Sequence, residues 1–253
     1  MILQDRIGII TGAAQGLGRE YALGAARAGA KIVAADIADT SDTVAAVEAA
    51  GGEGLSVTAD VADEASTRDL AAAAINRFGR IDFLVNNAAI YGALEMKYWE
   101  DIGVDEWDRI MAVNVRGMVL VSKAVAPYME NQHSGKIINI SSGTAHQGVV
   151  GALHYVTSKA AVIGFTRALA REVGDFGINV NAISPGFTMS EASRKIMREA
   201  GAEMMEDLIV SQQCFKRAER PEDLVGSVLF LASDLSGFIT GQVLNVDGGW
   251  VMY

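Results

Sequence analysis

Seven short runs of β-branched and other apolar residues, separated by long Ala-rich stretches, constrain this chain more than any other feature. The runs are Ile7–Thr11, Lys31–Ala35, Leu55–Ala59, Ile81–Asn86, Lys136–Ser141, Ile178–Ser184 and Val243–Val246. Helices are predicted between them near 16–29, 63–78, 105–129, 153–174 and 221–232. Strands this apolar on both faces belong in a parallel sheet covered by helices on both sides. The strand–helix rhythm therefore predicts a doubly wound α/β fold. Half of the 253 residues are hydrophobic, enough for one large core, and no linker or low-complexity tract divides them. A single domain over residues 1–253 is expected.

One segment breaks the rhythm. Residues 187–215 contain Met189, Met197, Met204 and Met205 with Ile196, Leu208 and Ile209. A helical insertion with a Met-rich face is expected to act as a lid over an apolar substrate, because Met adapts to irregular shapes. The alternative is ordinary packing or a subunit contact.

Charge and composition exclude several classes of function. The net charge of −10 gives no attraction to phosphate-rich polymers, so no nucleic-acid partner is expected. No stretch looks long enough and charge-free enough to span a bilayer, and the N-terminus runs into a strand without a signal-peptide pattern. Cys214 stands alone, which rules out an internal disulfide and fits a reducing, cytoplasmic compartment. No cluster with metal-ligand spacing is present, so no metal is expected.

After the first strand comes Thr11-Gly12-Ala13-Ala14-Gln15-Gly16-Leu17-Gly18, leading into a helix. Such a turn lets backbone N–H groups approach a pyrophosphate at a helix N-terminus. Asp36 ends the second strand, where a carboxylate can accept hydrogen bonds from adenosine ribose hydroxyls and repel a 2′-phosphate. A site for NADP would want Arg or Lys near Gln15 or Ile37, and neither is basic, so NAD is the expected cofactor. Asp60-Val61 and Asn86-Asn87-Ala88-Ala89 follow the third and fourth strands, where the adenine edge should lie. Asp60 is placed to bind the adenine amino group, and Asn86 to tie neighbouring strands together.

Tyr155 and Lys159 lie one turn apart on a predicted helix and share a face. A free Tyr has a pKa of about 10, and a nearby ammonium lowers it, which would let the phenol exchange a proton with an alcohol or ketone. Ser142 closes the preceding strand at the sheet edge, where its hydroxyl can bond a substrate oxygen. Ser141 competes for that role, although strand alternation points it the other way.

Thr11–Gly18, Asn86–Ala89, Asn114, Ser142, Tyr155–Lys159 and Pro185-Gly186 together resemble the short-form short-chain dehydrogenase/reductase family over essentially the whole chain. The resemblance implies a Rossmann-type domain with a seven-stranded parallel sheet, usually in a homotetramer. It implies Tyr155 as general acid/base, Lys159 as its activator and a ligand of the nicotinamide ribose, and Ser142 as the substrate-oxygen donor. It also implies that Asn114 holds a backbone carbonyl and a water in a proton relay from Lys159. By the same resemblance Pro185, Gly186, Phe187 and Thr188 form the loop that meets the nicotinamide, with Thr188 on its carboxamide. The cofactor set is thus Gly12, Gln15, Gly16, Leu17, Gly18, Asp36, Ile37, Asp60, Val61, Asn87, Ala88, Tyr155, Lys159, Pro185, Gly186 and Thr188. Ala89 departs from the family, which usually has Gly there. Gly241-Gln242 and Asp247-Gly248-Gly249-Trp250 resemble the family's tetramer-interface terminus. Ala160, Ala161 and Gly164 would permit close helix packing, between subunits or within one.

The expected substrate pocket contains Tyr91, Thr144, His146, Val149 and Phe187, with Ile90 and His154 as further candidates. It suggests a mostly apolar, aromatic or cyclic secondary alcohol or ketone. Leu153–Lys159 and Asn87–Tyr91 resemble members of the family that act on aryl secondary alcohols such as 1-phenylethanol. The two histidines could bind a polar group, or could simply pack. Two competing functions remain: a 3-oxoacyl-thioester reductase, and an NAD-binding regulator without turnover.

Overall fold

The structure is a computed structural model that describes residues 1–91, 94–199 and 205–252. Its strands are β1 (Ile7–Thr11), β2 (Lys31–Asp36), β3 (Glu53–Thr58), β4 (Phe83–Asn86), β5 (Gly135–Ile140), β6 (Ile178–Pro185) and β7 (Val243–Val246). They form one seven-stranded sheet in the order β3-β2-β1-β4-β5-β6-β7, and every pairing is parallel. The chain winds outward from β1 to β3, then restarts at β4 on the other side. That reversal between β1 and β4 opens a crevice at the strands' C-terminal ends.

Alternate residues of each strand enter two cores. Ile10, Ile32, Val85, Ile138 and Ile183 pack under α1 (Gly16–Arg27) and α10 (Pro221–Ala232). Their neighbours Ile9, Val33, Leu84, Ile137 and Val180 pack under α3 (Glu64–Phe78), α5 (Met118–Gln132) and α7 (Leu153–Val173). Each such side chain contributes about 1.5–3 kcal/mol by leaving water. Helix boundaries follow local chemistry. Asp63 caps α3 by accepting from the Ala65 and Ser66 N–H groups, and Gly79 ends it at φ 81°. Pro221 opens α10, while Asp223 accepts from the Arg220 N–H at 2.9 Å.

Three expectations change. A helix not predicted from the sequence, α2 (Ser41–Ala49), joins β2 to β3. The helix expected over 105–129 is α4 (Val104–Met111), a π-helical turn (Ala112–Gly117) and α5 in continuous succession. This run, residues 104–132, is long and apolar enough by length and composition to cross a membrane, contrary to the reading of the sequence. Here it buries Ile110, Met118, Val121, Val125 and Met129 inside the protein. Among the described residues of the segment 187–215 are two helices, α8 (Glu191–Glu199) and α9 (Met205–Gln212). Met204 lies outside the described residues. The short helix α6 (Thr144–Gln147) follows β5.

Candidate active site

The β1–α1 turn needs glycine for steric reasons. Gly12 has φ +66°, and a Cβ there would stand 2.8 Å from the Ala88 Cα. A Cβ on Gly18 would lie 2.1 Å from the Gly12 carbonyl oxygen. Gly16, at φ +57°, faces open space, and no side chain caps the N-terminus of α1, where Gln15 is extended. Free N–H groups beside open volume suit a phosphate. Asn87 braces the turn: its Nδ2 donates to the carbonyls of Thr11 at 2.9 Å and Gly12 at 3.1 Å. Asp36 joins the same turn, its Oδ2 accepting from the Ala14 N–H at 3.0 Å. Ile37 and the Asp60 side chain are exposed beyond it, and Asp60 Oδ1 accepts from the Ala62 N–H. These residues fit the adenosine and pyrophosphate halves of a dinucleotide. Gly18→Ala is therefore expected to weaken NADH binding at least about tenfold and lower the melting temperature by several degrees, because backbone atoms must move. Fluorescence titration and a thermal melt measure the two effects.

On the other side of the crevice, α7 buries His154, Tyr155, Ser158 and Lys159 together. Lys159 Nζ donates to the Ile140 carbonyl at 2.8 Å and lies 5.7 Å from the Tyr155 ring centroid. The Ser142 hydroxyl stands on the Tyr155 side of the crevice and favours the ionised phenol. Ser142 Oγ also accepts from Thr144 Oγ1 at 3.0 Å. Ser141 instead turns to α7 and donates to the Lys159 carbonyl at 2.8 Å. Burial pushes the Tyr155 phenol well above its usual range, and the opposite influence of Ser142 is the smaller. Burial also depresses the Lys159 amine to about 8. Desolvation, rather than ammonium–phenol attraction, thus dominates both groups, against the simple expectation from sequence.

Asn114 sits in the π-helical turn, where its Oδ1 accepts from the Ile90 N–H at 2.7 Å and its Nδ2 donates to Ser158 Oγ at 3.1 Å. A cavity of about 10 Å³ is lined by Asn86, Asn114 and Lys159 among others, the lower limit of space for a single water. Asn86 ties β4 to β5 as expected, donating to Asn139 Oδ1 at 2.8 Å and to Ser122 Oγ at 3.0 Å. Its Oδ1 has no partner among the described residues.

The Tyr91 ring stands 5.4 Å from that of Tyr155 at a 43° tilt, within an apolar shell of Leu94, Ile110, Ala152, Ile90 and Val156. Tyr91 also reaches Ser193 of α8, oxygen to oxygen 3.4 Å. Val149 and Phe187 are half-buried. His146 is half-buried on α6 within electrostatic reach of Arg167 and Asp247. His154 does not offer a polar group to a ligand: it is fully buried, with Nε2 3.2 Å from Glu106 Oε1 and Nδ1 accepting from the Tyr155 N–H. It brackets α4 to α7.

The loops after β5 and β6 meet where the Gly143 N–H donates to the Pro185 carbonyl at 2.7 Å. Thr188 is buried and donates from Oγ1 to Glu219 Oε1 at 2.6 Å. Glu219 was not singled out from the sequence. It stands far along the chain, and a charged residue just before a helix reads as a surface group. Burial pushes its carboxyl up to about 7.

Fold and site together define a Rossmann-type dinucleotide-binding protein. Residues 12–251 match the family described as Enoyl-(Acyl carrier protein) reductase. The chain is 36% identical over 252 residues to a 2-dehydro-3-deoxy-D-gluconate 5-dehydrogenase of Dickeya dadantii, covering 98% of this chain and 96% of that protein. It is 36% identical over 255 residues to a 3-oxoacyl-[acyl-carrier-protein] reductase of Thermotoga maritima, covering 100% of both. The solved structure of levodione reductase matches with a TM-score of 0.92 at 32% identity over 97% of each chain. The chain belongs to the short-chain dehydrogenase/reductase family and is an oxidoreductase. That membership implies a nicotinamide cofactor, NAD or NADP.

Proposed function

We propose that this protein is an NAD-dependent dehydrogenase or carbonyl reductase for mostly apolar, aromatic or cyclic secondary alcohols and ketones. The observation that carries this reading is the aromatic, apolar wall of Tyr91 and its neighbours against the buried Tyr155 hydroxyl. Asp36, held on the glycine turn with no basic residue at positions 15 or 37, supports NAD. When bound, the nicotinamide supplies the hydride chemistry.

Tyr155 exchanges the hydroxyl proton of the substrate, and Ser142 donates a hydrogen bond to the same oxygen as charge develops there. Lys159 binds the ribose side, and the small cavity it shares with Asn114 holds the water of a proton relay from Lys159. Thr188 takes the carboxamide. The Tyr91–Ser193 contact supports α8 as the part of the expected lid that borders the substrate. The exposed Ala160 and Gly164 on α7 face away from the sheet, which supports their use between subunits of a homotetramer. The lone Cys214, exposed and unpaired, supports a reducing, cytoplasmic location.

A panel of secondary alcohols with NAD+, scored by kcat/KM, tests the substrate class. Aryl and cyclic alcohols are expected to exceed short-chain sugar acids and 3-hydroxyacyl thioesters by at least about tenfold, in line with the worth of a filled apolar pocket. Preference for a thioester with NADPH would replace this reading with the acyl reductase one. Tight NADH binding without turnover of any substrate would favour a regulator.

A further inference from the structure

We propose that Glu219 is a positioning residue that fixes which way Thr188 presents its hydroxyl to the nicotinamide carboxamide. This rests on the proposed reading that the loop after β6 meets the nicotinamide. Glu219 is buried, and both of its oxygens are engaged by that loop. Oε1 accepts from Thr188 Oγ1 at 2.6 Å and Oε2 accepts from the Gly186 N–H at 3.1 Å. The backbone joins in, with the Met189 N–H donating to the Glu219 carbonyl at 2.8 Å. Gly186 makes the approach possible, because a Cβ there would stand 2.6 Å from Oε2.

A threonine hydroxyl has one hydrogen and two lone pairs. With its hydrogen directed to the carboxylate, Thr188 faces the crevice as an acceptor. It can then take an N–H of the carboxamide and offers nothing to the carboxamide oxygen. A protonated Glu219, or a glutamine in its place, would present a donor to Thr188 and reverse that polarity.

Burial raises the Glu219 carboxyl to about 7, with Asp247 and Asp223 adding to the rise, so the reversal falls near neutral pH. The other ionisable groups in its field are Tyr21 of α1, whose buried hydroxyl has no partner among the described residues, and Arg217, which is paired with Asp223.

The test compares the dissociation constants of NADH and ADP-ribose, which lacks the nicotinamide, for the wild type, Glu219→Gln, Thr188→Val and the double variant. Glu219→Gln is expected to weaken NADH roughly three- to tenfold, the worth of one hydrogen bond, and to leave ADP-ribose within about twofold. With Thr188→Val in place, Glu219→Gln should add nothing. In the wild type the preference for NADH over ADP-ribose should fall as pH drops from about 8 to 6, and Thr188→Val should flatten that profile. The wild-type and Thr188→Val profiles decide the matter even if Glu219→Gln fails to fold. Equal weakening of both ligands, an additive double variant, or a profile that Thr188→Val leaves unchanged would overturn the assignment. If the wild type binds neither ligand, the dinucleotide reading falls and this one with it. If it binds both and none of the differential effects is seen, only this one falls.

Discussion

Replacing Tyr155 with Phe is expected to lower turnover by about 10²–10⁴-fold while the NADH dissociation constant stays within about twofold. Only the hydroxyl leaves. The Tyr155 ring keeps its neighbour Tyr91 at 5.4 Å, and α7 keeps its buried face. Burial holds the Tyr155 phenol above its usual range, so the base form required for alcohol oxidation is scarce at neutral pH. Oxidation should therefore accelerate as pH rises, and ketone reduction, which needs the protonated phenol, should not. Burial also leaves the Lys159 amine near 8, so the ammonium that favours a phenolate fades above that pH. Stopped-flow single turnovers across pH separate the chemical step from binding. A Tyr155→Phe variant that keeps most of its activity would remove this residue from the reaction.

The sequence exposed those parts of the site that local spacing encodes. Gly12 and Gly18 belong to one turn, and their need for glycine follows from a backbone path that the flanking strand and helix already imply. Tyr155 and Lys159 share a helix face, and strand alternation points Ser141 to α7 and Ser142 to Thr144. The rest comes from partners distant in the chain. Asn139 receives the Asn86 amide and donates to Thr166 across β5 and α7, and nothing near any of the three announces it. Glu106 meets His154 for the same reason, and Glu219 meets Thr188. The π-helical turn at Asn114 was hidden because its residues suit an α-helix equally well; the wider turn lets the Asn114 side chain reach the Ile90 backbone and Ser158.

Discrimination between the two dinucleotides should be as large an effect, and it rests on Asp36. A 2′-phosphate brought to about 4 Å from that carboxylate would meet a repulsion on the order of 4 kcal/mol at the dielectric typical of a protein surface. Partial exposure and salt reduce this, so the wild type is expected to favour NAD+ over NADP+ by about 10²–10³-fold in kcat/KM. The informative substitution is Asp36→Asn. Asp36 Oδ2 accepts from the Ala14 N–H at 3.0 Å and Oδ1 from the Ala38 N–H at 3.1 Å; an asparagine oxygen can keep the bond to Ala14 and gives up the one to the exposed Ala38, so the glycine turn should hold its shape while the melting temperature falls slightly. The charge and one exposed backbone hydrogen bond are removed. NADP+ should then gain at least about tenfold in kcat/KM, while NAD+ loses a smaller factor because a neutral amide accepts ribose hydroxyls less strongly than a carboxylate. Ionic strength gives an independent check: in the wild type added salt should narrow the gap between the cofactors, and in Asp36→Asn it should barely change it. A wild-type protein that uses both cofactors equally well, or an Asp36→Asn variant with unchanged discrimination, would assign the choice to other groups around the adenosine.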